Sequence, residues 1–287
     1  MGNTLTRQQW TNAQADHETR ARQWVDPHLK RKASGQSHPV WDFLFDYYWP
    51  RPSHLTRWNP GLGTQLAQAA DCPIARRRHY MADKDGAVRL DVESFLAHRG
   101  DSMRQMRDLM AQVDTAFPHF DCFGMHEWAM VYRSDNPRHD LPLRLGVRAT
   151  NKVVDAHPLK CTHYDAFRYF TPAARPLNLT VLDRSGQADN DQPGCVHVTM
   201  DLYKWAMNMG PVVPGELLLD IFELAREARR LDMEASPYDC RGLGLGVVAV
   251  ETPEGKAEYV RRQRELATRA KPLRVRLVEL LDRLFGE

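Results

Sequence analysis

The sequence predicts a predominantly α-helical protein with a small β-sheet. Apolar residues recur at helical spacing through several long segments, whereas one segment in the middle of the chain alternates with a period of two. The chain has 287 residues, 43% of them hydrophobic and 26% charged, so it can bury a full core. We therefore expect a single globular domain over residues 38–287, preceded by a surface helix or arm over residues 1–37.

The N-terminal third begins with a polar segment and continues with an aromatic one. Residues 4–32 carry scattered apolar positions and a basic end, which favours a surface helix. Residues 38–49 are apolar around most of a helical circumference, which predicts a buried core helix. Pro50 and Pro52 should end that helix, because proline lacks the backbone donor and disfavours a helical residue before it.

Further helices follow from apolar stripes. The stripe over residues 91–117 contains several methionines, which fill gaps in a core more often than they serve a cofactor, and Gly100-Asp101 predicts a break within it. Residues 216–232 form a clear amphipathic pattern. Two charged helices are predicted over residues 253–269 and 272–285, the first of them capped by Thr252.

Strands are predicted in the middle and near the end of the chain. Apolar residues alternate with other types over residues 141–147, as in a half-exposed strand. Residues 177–182 and 245–250 are further candidates. A small sheet built from these segments completes the predicted fold class.

Composition excludes several functional classes. A net charge of +2 is too small for a broad nucleic-acid surface, so nucleic acid is only a weakly supported local partner. No apolar run approaches the roughly 20 residues that span a bilayer, and no secretory signal is present, so we expect no membrane partner and a cytoplasmic location. The five cysteines form no CxxC pair and are poor nucleophile candidates, Cys161 being the least unfavourable.

Histidines are concentrated in one part of the chain. Six of the twelve lie between His119 and His197, in clusters that also contain acids and aromatic residues. Two imidazoles and a carboxylate can hold zinc or non-haem iron and leave positions open for a substrate. The candidate metal ligands are His126, His163 and His197, with Asp165 or Asp201 as the carboxylate. A divalent transition metal is therefore a candidate cofactor.

The same acids also suit the hydrolysis of an N-glycosidic bond, which needs a carboxylate and groups that hold the base. The candidate carboxylates are Glu127, Asp165, Asp201 and Asp239, and the cations Arg168 and Lys204 complete the candidate catalytic set. The candidate aromatic groups for substrate binding are Trp128, Tyr164, Tyr203, Trp205 and Tyr238.

Structural roles are an open alternative for each of these residues. Thr162 and Asp165 fit a helix cap, Asp165 and Arg168 fit an i,i+3 ion pair, and residues 236–239 fit a helix start. The basic residues between 133 and 160 fit either a phosphate contact or a solvated face, as does the run Arg76-Arg-Arg-His79.

Three strings in the central clusters resemble a known bacterial family. Residues 123–128, 160–176 and 200–205 look like the family commonly labelled 3-methyladenine DNA glycosylase, and the resemblance covers about residues 38–270. The resemblance implies a hydrolase that cleaves the N-glycosidic bond of an altered purine base or nucleoside. Residues 59–67 imitate the phosphate-gripping hairpin of helix-hairpin-helix glycosylases, but Pro73 interrupts the helix that should follow, so no catalytic residue is carried over.

Three functions are thus open at the level of the sequence. The resemblance favours an N-glycosidic hydrolase whose partner is a nucleobase. The histidines and acids favour a metal-dependent enzyme acting on a small molecule. The third alternative is a non-catalytic protein that binds a small molecule.

Overall fold

The computed structural model describes residues 3–48 and 51–286 of the chain. These residues are mostly helical and contain one small sheet, which confirms the predicted fold class. No helix in these two ranges is long and apolar enough to cross a bilayer. The helices are α1 (Arg7–Ala33), α2 (Phe43–Asp46), α3 (Pro52–Leu55), α4 (Val92–Thr115), α5 (Met125–Ala129), α6 (Gly146–Asp155), α7 (Tyr164–Phe167), α8 (Gln187–Asn190), α9 (Val196–Met209), α10 (Gly215–Glu234) and α11 (Pro253–Phe285). Short 3-10 helices span Pro73–Arg76, Arg175–Leu177, Gly210–Val212 and Arg241–Leu243.

The sheet has four strands of three residues each, in the order β1-β2-β4-β3. The strands are β1 (Asn3–Leu5), β2 (Thr64–Leu66), β3 (Tyr80–Ala82) and β4 (Val88–Leu90). β1 pairs with β2 in parallel, and the other two pairings are antiparallel. Such short strands carry too few alternations to give a pattern, which is why the sequence did not predict them.

The three predicted strands were wrong. Within 141–147 only Leu143 makes a bridge, to Tyr238, and α6 already begins at Gly146. The segment 177–182 forms one isolated bridge, and 245–250 lies in irregular backbone. Leu179 and Val181 are 79% and 74% exposed, so these alternating apolar side chains point to solvent. They do not pack against a core, which is what would fix a strand in a sheet.

The helix predictions were mostly right in position but not in their breaks. α4 continues through Gly100-Asp101, and α11 continues through Pro272, where two helices were expected. The predicted cap of α11 is confirmed, because the N–H of Gly255 donates to Thr252 Oγ1 at 3.1 Å. The aromatic segment forms only the four-residue α2, and Pro52 begins α3. Trp49 and Pro50, which belonged to that prediction, lie outside the described residues.

The chain divides into two compact units, each assembled from separated segments. The first unit comprises Met1–Ala111, Leu202–Glu223 and Leu273–Glu287. The second unit comprises Gln112–Asp201 and Leu224–Pro272. The sheet belongs to the first unit, whereas His126, His163 and His197 all belong to the second.

The first unit packs α1 against its sheet region. Trp10, Trp58, Leu66, Ala69, Ile74 and Val88 form a buried apolar cluster. The indole N–H of Trp10 donates to the carbonyl of Ala67 at 3.0 Å, which fixes the first turn of α1 beside β2. The methionines of the α4 stripe are buried as predicted, at positions 103, 106 and 110.

Near the end of α1, a buried carboxylate joins the helix to the following loop. Asp42 is 3% exposed and lies 2.9 Å from the Nδ1 atom of His28. Arg31 Nε and the backbone N–H of His38 donate to Asp42 Oδ2 at 2.9 and 2.8 Å. Burial alone would raise the pKa of Asp42, but the hydrogen bonds from Arg31, His28 and His38 outweigh it and hold the pKa below its ordinary value.

We predict that Asp42 makes the stability of the protein depend on acid. Because its pKa is lower in the folded state, its contribution is fully present above the unfolded pKa and disappears as pH falls through the folded pKa. Asp42→Asn should therefore lower the free energy of unfolding by about 1–3 kcal/mol at neutral pH. Urea unfolding of both proteins from pH 7 to pH 2 should show the difference narrowing in acid. Parallel curves at every pH would contradict this role.

Candidate functional site

The second unit places α5 in its interior by a close approach at Gly124. This residue has φ +71° and precedes α5, and a Cβ at this position would lie 3.2 Å from the ring of Tyr259 and 3.3 Å from Ala235. The indole N–H of Trp128 donates to the carbonyl of Ala235 at 2.9 Å. All five residues of α5 are buried, so His126 and Glu127 must find partners inside the protein.

Arg229 on α10 provides the partner for Glu127. Its Nη1 atom donates to Glu127 Oε1 at 2.8 Å and to Asp232 Oδ2 at 2.6 Å. Arg229 is 1% exposed and Asp232 is fully buried. Burial alone would lower the pKa of Arg229, but the two carboxylates raise it above its ordinary value. The guanidinium is therefore charged and joins α5 to α10.

His126 binds the other oxygen of Asp232. Its Nε2 atom lies 2.6 Å from Asp232 Oδ1, and its Nδ1 atom lies 3.6 Å from Cys122 Sγ. Burial opposes a charge on His126, but Asp232 dominates and raises the pKa of the imidazole well above its ordinary value. His126 and Arg229 then balance the charges of Glu127 and Asp232. This balanced set is the buried ion network of the second unit.

His197, on α9, connects this network to the third histidine. Its ring centroid lies 4.4 Å from that of His126, nearly perpendicular, and 5.3 Å from that of His163, nearly parallel. Its Nδ1 atom is buried without a hydrogen-bond partner. Burial, reinforced by His126, lowers the pKa of His197 well below its ordinary value. His197 is therefore a neutral imidazole, which is the form that ligates metals.

His163 lies among carboxylates. Its Nδ1 atom is 2.9 Å from Asp191 Oδ1, and Gln187 donates to the other oxygen of Asp191 at 2.9 Å. On the opposite side of the ring, Nε2 lies 3.9 Å from Asp201 Oδ2, which is longer than a hydrogen bond. Asp165, His163 and Asp201 each present a ligand atom, and these three atoms all lie within 4.8 Å of one another. We call these three residues the acidic triad.

The acidic triad is buried but has cations at its edge. Arg184 Nη2 and Arg168 Nε lie 2.9 and 3.3 Å from Asp165 Oδ1. Both arginine side chains are substantially exposed, at 58% and 41%. Ion pairs of exposed arginines are weak because water screens them. Both arginines therefore approach the triad from its exposed edge.

A second set of ligand atoms meets the same distance criterion. His126, His197 and Asp232 also present atoms within 4.8 Å of one another, and all three are buried. Here, however, His126 and Asp232 already bind each other directly at 2.6 Å. Two histidines and a carboxylate are a known ligand set for zinc and non-haem iron. The rings of the predicted metal ligands His126, His197 and His163 thus lie in one row, in that order. His126 and His197 belong to the set with Asp232, and His163 belongs to the acidic triad.

Three thiols surround a small cavity beside this row. The cavity has a volume of about 10 Å³ and is lined by Cys122, Cys161 and Cys195 together with His126 and Gln263. This volume is on the order of one water molecule. Burial raises the pKa of Cys161 and of Cys195, so both remain neutral thiols and poor nucleophiles.

The predicted aromatic and carboxylate residues are dispersed. Trp128 and Tyr238 are buried in the second unit, where Tyr238 packs its ring against His139 at 5.1 Å. Tyr164 is half-buried, with the Arg184 guanidinium 5.0 Å from its ring centre. Asp239 is bound by Arg241 at 2.6 Å, which lowers its pKa to about 2.

Three further candidates belong to the first unit. Tyr203 is buried there, with its ring centroid 5.9 Å from Tyr48 and 4.9 Å from Phe222. The Lys204 ammonium lies 4.3 Å from the centre of the Trp205 ring. These residues are therefore part of an aromatic region of the first unit.

Two of the predicted structural roles were wrong. α7 is preceded by His163 at its cap position and has no side-chain cap bond, so Thr162 and Asp165 form no capping box. Residues 236–239 lead into a 3-10 turn rather than an α-helix. The predicted i,i+3 pair of Asp165 and Arg168 is confirmed. In the basic stretch 133–160, the Arg144 guanidinium donates two hydrogen bonds to the Glu251 carboxylate, of 2.7 and 2.8 Å.

The sequence did not single out four residues of the site. Cys122 and His126 stand four positions apart, which was a usable signal for a contact. Arg229 and Asp232 lie in the C-terminal half of α10, which is buried on nearly all sides, so two charges there were a sign of an internal network. Asp191 offered no local signal, because its partner His163 is 28 residues away.

Comparison with known proteins adds no relative. No family model, no curated protein and no solved structure matches the chain. The resemblance to the family labelled 3-methyladenine DNA glycosylase therefore stays a prediction, and the functional argument rests on the geometry of the second unit.

We predict that Gly124 is required for the placement of α5. Gly124→Ala should destabilise the protein by about 1–2 kcal/mol through its left-handed backbone and by roughly 1–3 kcal/mol more through contact with Tyr259 and Ala235. Gly146→Ala is a matched control, because Gly146 has φ +70° but nothing within 4 Å of its added Cβ. Chemical denaturation measures both. Equal losses for the two variants would show that the close approach has no effect.

Proposed function

We propose that the second unit is a metal-dependent enzyme acting on a small molecule, with the acidic triad as its metal-binding residues. The observation that carries the proposal is the environment of His163. One nitrogen of its ring is held by Asp191, the other lies 3.9 Å from Asp201 Oδ2, and His163, Asp165 and Asp201 present ligand atoms within 4.8 Å of one another. Histidines that ligate metals are typically held by a carboxylate in this way, which fixes the tautomer and the ring orientation.

Charge supports the same assignment. Asp165, Asp191 and Asp201 are 8%, 4% and 3% exposed, and the imidazole of His163 lies among them. Burying several carboxylates close together is unfavourable unless cations accompany them, and a divalent cation at the acidic triad would do so beside the arginine pairs of Asp165.

The ligand types indicate the class of metal and its role. One imidazole and two carboxylates suit zinc, iron or manganese, and three protein ligands leave positions for water and substrate. Such a metal lowers the pKa of a bound water so that it becomes a nucleophile near neutral pH. His197 stacks on His163 beside this site, whereas in its own set His126 and Asp232 already bind each other.

We predict that the protein binds zinc, manganese or iron(II) with His163, Asp165 and Asp201 as ligands. The apoprotein, prepared without a histidine tag and treated with a chelator, should bind one metal ion in calorimetric titration. His163→Ala should abolish binding at the acidic triad, and Asp191→Asn should weaken it by roughly 10- to 100-fold, because Asp191 holds the ligand rather than the metal.

A control variant distinguishes ligation from folding. His157 is half-buried in the same unit, and its ring bonds the carbonyl of Val153 at 2.6 Å, so His157→Ala should leave metal affinity unchanged. If the wild-type protein bound none of these metals, or if both histidine variants behaved alike, the metal centre would be refuted. A change confined to melting temperature would then favour a structural network.

A second candidate function is hydrolysis of an N-glycosidic bond without a metal. It is favoured by the carboxylate pair of Asp165 and Asp201, whose ligand oxygens lie within 4.8 Å of each other. Glycoside hydrolysis commonly uses two carboxylates that flank the scissile bond. The family resemblance adds the substrate class, an altered purine base or nucleoside. Glu127 is less suitable for this role, because Arg229 binds it in the interior.

We predict for this candidate that the protein releases free base from an alkylated purine nucleoside or from alkylated DNA. Asp165→Asn and Asp201→Asn should each lower the rate by at least about 100-fold, because each removes one member of the acid and base pair. Asp239→Asn serves as the control, since Asp239 is bound by Arg241 away from the pair. Chromatography of released base gives the rate. Activity that survives both substitutions, or that vanishes with chelator alone, would exclude the metal-free mechanism.

A further inference from the structure

The first unit contains a second site that the metal centre does not use. A cavity of about 650 Å³ opens between the turn that includes Asn59, the basic run Arg76-Arg-Arg-His79, the first half of α4 and the end of α9 with the turn that follows it. Cavities of roughly 300–1,000 Å³ are the size that accommodates small organic ligands. All of its lining residues belong to the first unit.

Four arginines make the lining of this cavity strongly basic. Arg57, Arg77, Arg78 and Arg99 line it, and no aspartate or glutamate within residues 3–48 and 51–286 does so. Arg77 donates to the carbonyl of Trp58 at 2.8 Å, and Arg99 donates to a carbonyl and, weakly, to a hydroxyl. Among the described residues none of the four guanidinium groups forms an ion pair with a carboxylate. Their positive charge is therefore uncompensated.

Arg77 is half-buried in this lining. Burial lowers the pKa of Arg77, Tyr80 opposes this effect, and the neighbouring Arg57 adds a smaller lowering. A cleft lined by charges of one sign concentrates the potential and attracts ligands of the opposite charge. Guanidinium groups bind phosphate through paired N–H donors, and they do so better than any other side chain.

Apolar and aromatic side chains line the same cavity. Phe95, Met207, Pro211 and Leu218 contribute apolar surface together with Tyr80, whose hydroxyl donates to Asn59 at 3.2 Å, and we call these five residues the aromatic wall. A bare phosphate ion would leave most of 650 Å³ unused. The cavity therefore matches a ligand that combines an anionic group with a flat apolar group.

We propose that this cavity binds a small organic phosphate of the nucleoside mono- or diphosphate class. The guanidinium groups of Arg57, Arg77, Arg78 and Arg99 bind the phosphate oxygens, and the wall formed with Tyr80 and Phe95 contacts the base. A nucleic-acid strand is the less suitable ligand, because the arginines line a concave site and the whole chain has a net charge of only +2. The site is independent of the metal centre, since the two share no residue.

The proposal is tested by isothermal titration of the full-length protein with ADP, inorganic pyrophosphate and adenosine. The side chains of Arg57 and Arg78 are exposed and form no hydrogen bond or ion pair in the described parts of the chain, so the double variant Arg57→Ala/Arg78→Ala should keep the wild-type melting temperature. We expect ADP to bind, adenosine to bind at least about tenfold more weakly, and the double variant to lose at least about tenfold in ADP affinity.

The adjacent Arg76 gives a matched control. It is exposed and belongs to the same basic run but does not line the cavity, so Arg76→Ala should bind ADP like the wild type. Failure of ADP to bind at millimolar concentration, or equal affinity in the double variant and the wild type, would overturn the site. Pyrophosphate binding as tightly as ADP would overturn the role of the aromatic wall. Binding of a short DNA duplex that ADP does not displace, lost in the double variant, would replace the proposal with a nucleic-acid surface.

Discussion

The guanidinium of Arg229 is the interaction on which the second unit depends. It is buried at 1% exposure and holds Glu127 of α5 and Asp232 of α10 at once. Through Asp232 it also fixes His126, and the ring of His126 in turn packs against His197. Removing one partner of such a network leaves an uncompensated charge in the interior, which is far more unfavourable than losing an exposed ion pair. The positions of the three helices that carry these side chains are therefore coupled.

The two ligand sets of the second unit differ in charge, and that difference gives each a separate role. In the buried ion network, the positive charges of His126 and Arg229 balance the negative charges of Glu127 and Asp232, so the network needs no further ion. In the acidic triad, Arg168 and Arg184 pair with Asp165 from the exposed edge. The first set is suited to hold the helices and to position His197. The second is suited to attract a cation, and the stacked rings of His163 and His197 connect the two.

The sequence predicted the helical class because long helices that pack on a core carry apolar residues at helical spacing. α4 and α10 are two such helices. It misplaced the sheet because three-residue strands have no period, whereas the exposed Leu179 and Val181 imitate one. The concentration of histidines suggested His126, His163 and His197 as ligands of one metal without determining whether they converge, and the structure places their rings in one row. The sequence could not predict Arg229 or Asp232 as their partners, because contacts across more than 100 positions depend on tertiary folding alone.

The interleaving of segments has a consequence for how this protein can be dissected. Each compact unit is assembled from stretches far apart in the chain, and the boundaries fall inside α4, α9, α10 and α11. Deleting either end of the gene would remove part of a helix instead of freeing an intact half. The basic cavity and the histidine row therefore cannot be separated by truncating the chain at one point, because the residues of the cavity lie before and after His126, His163 and His197 in the sequence.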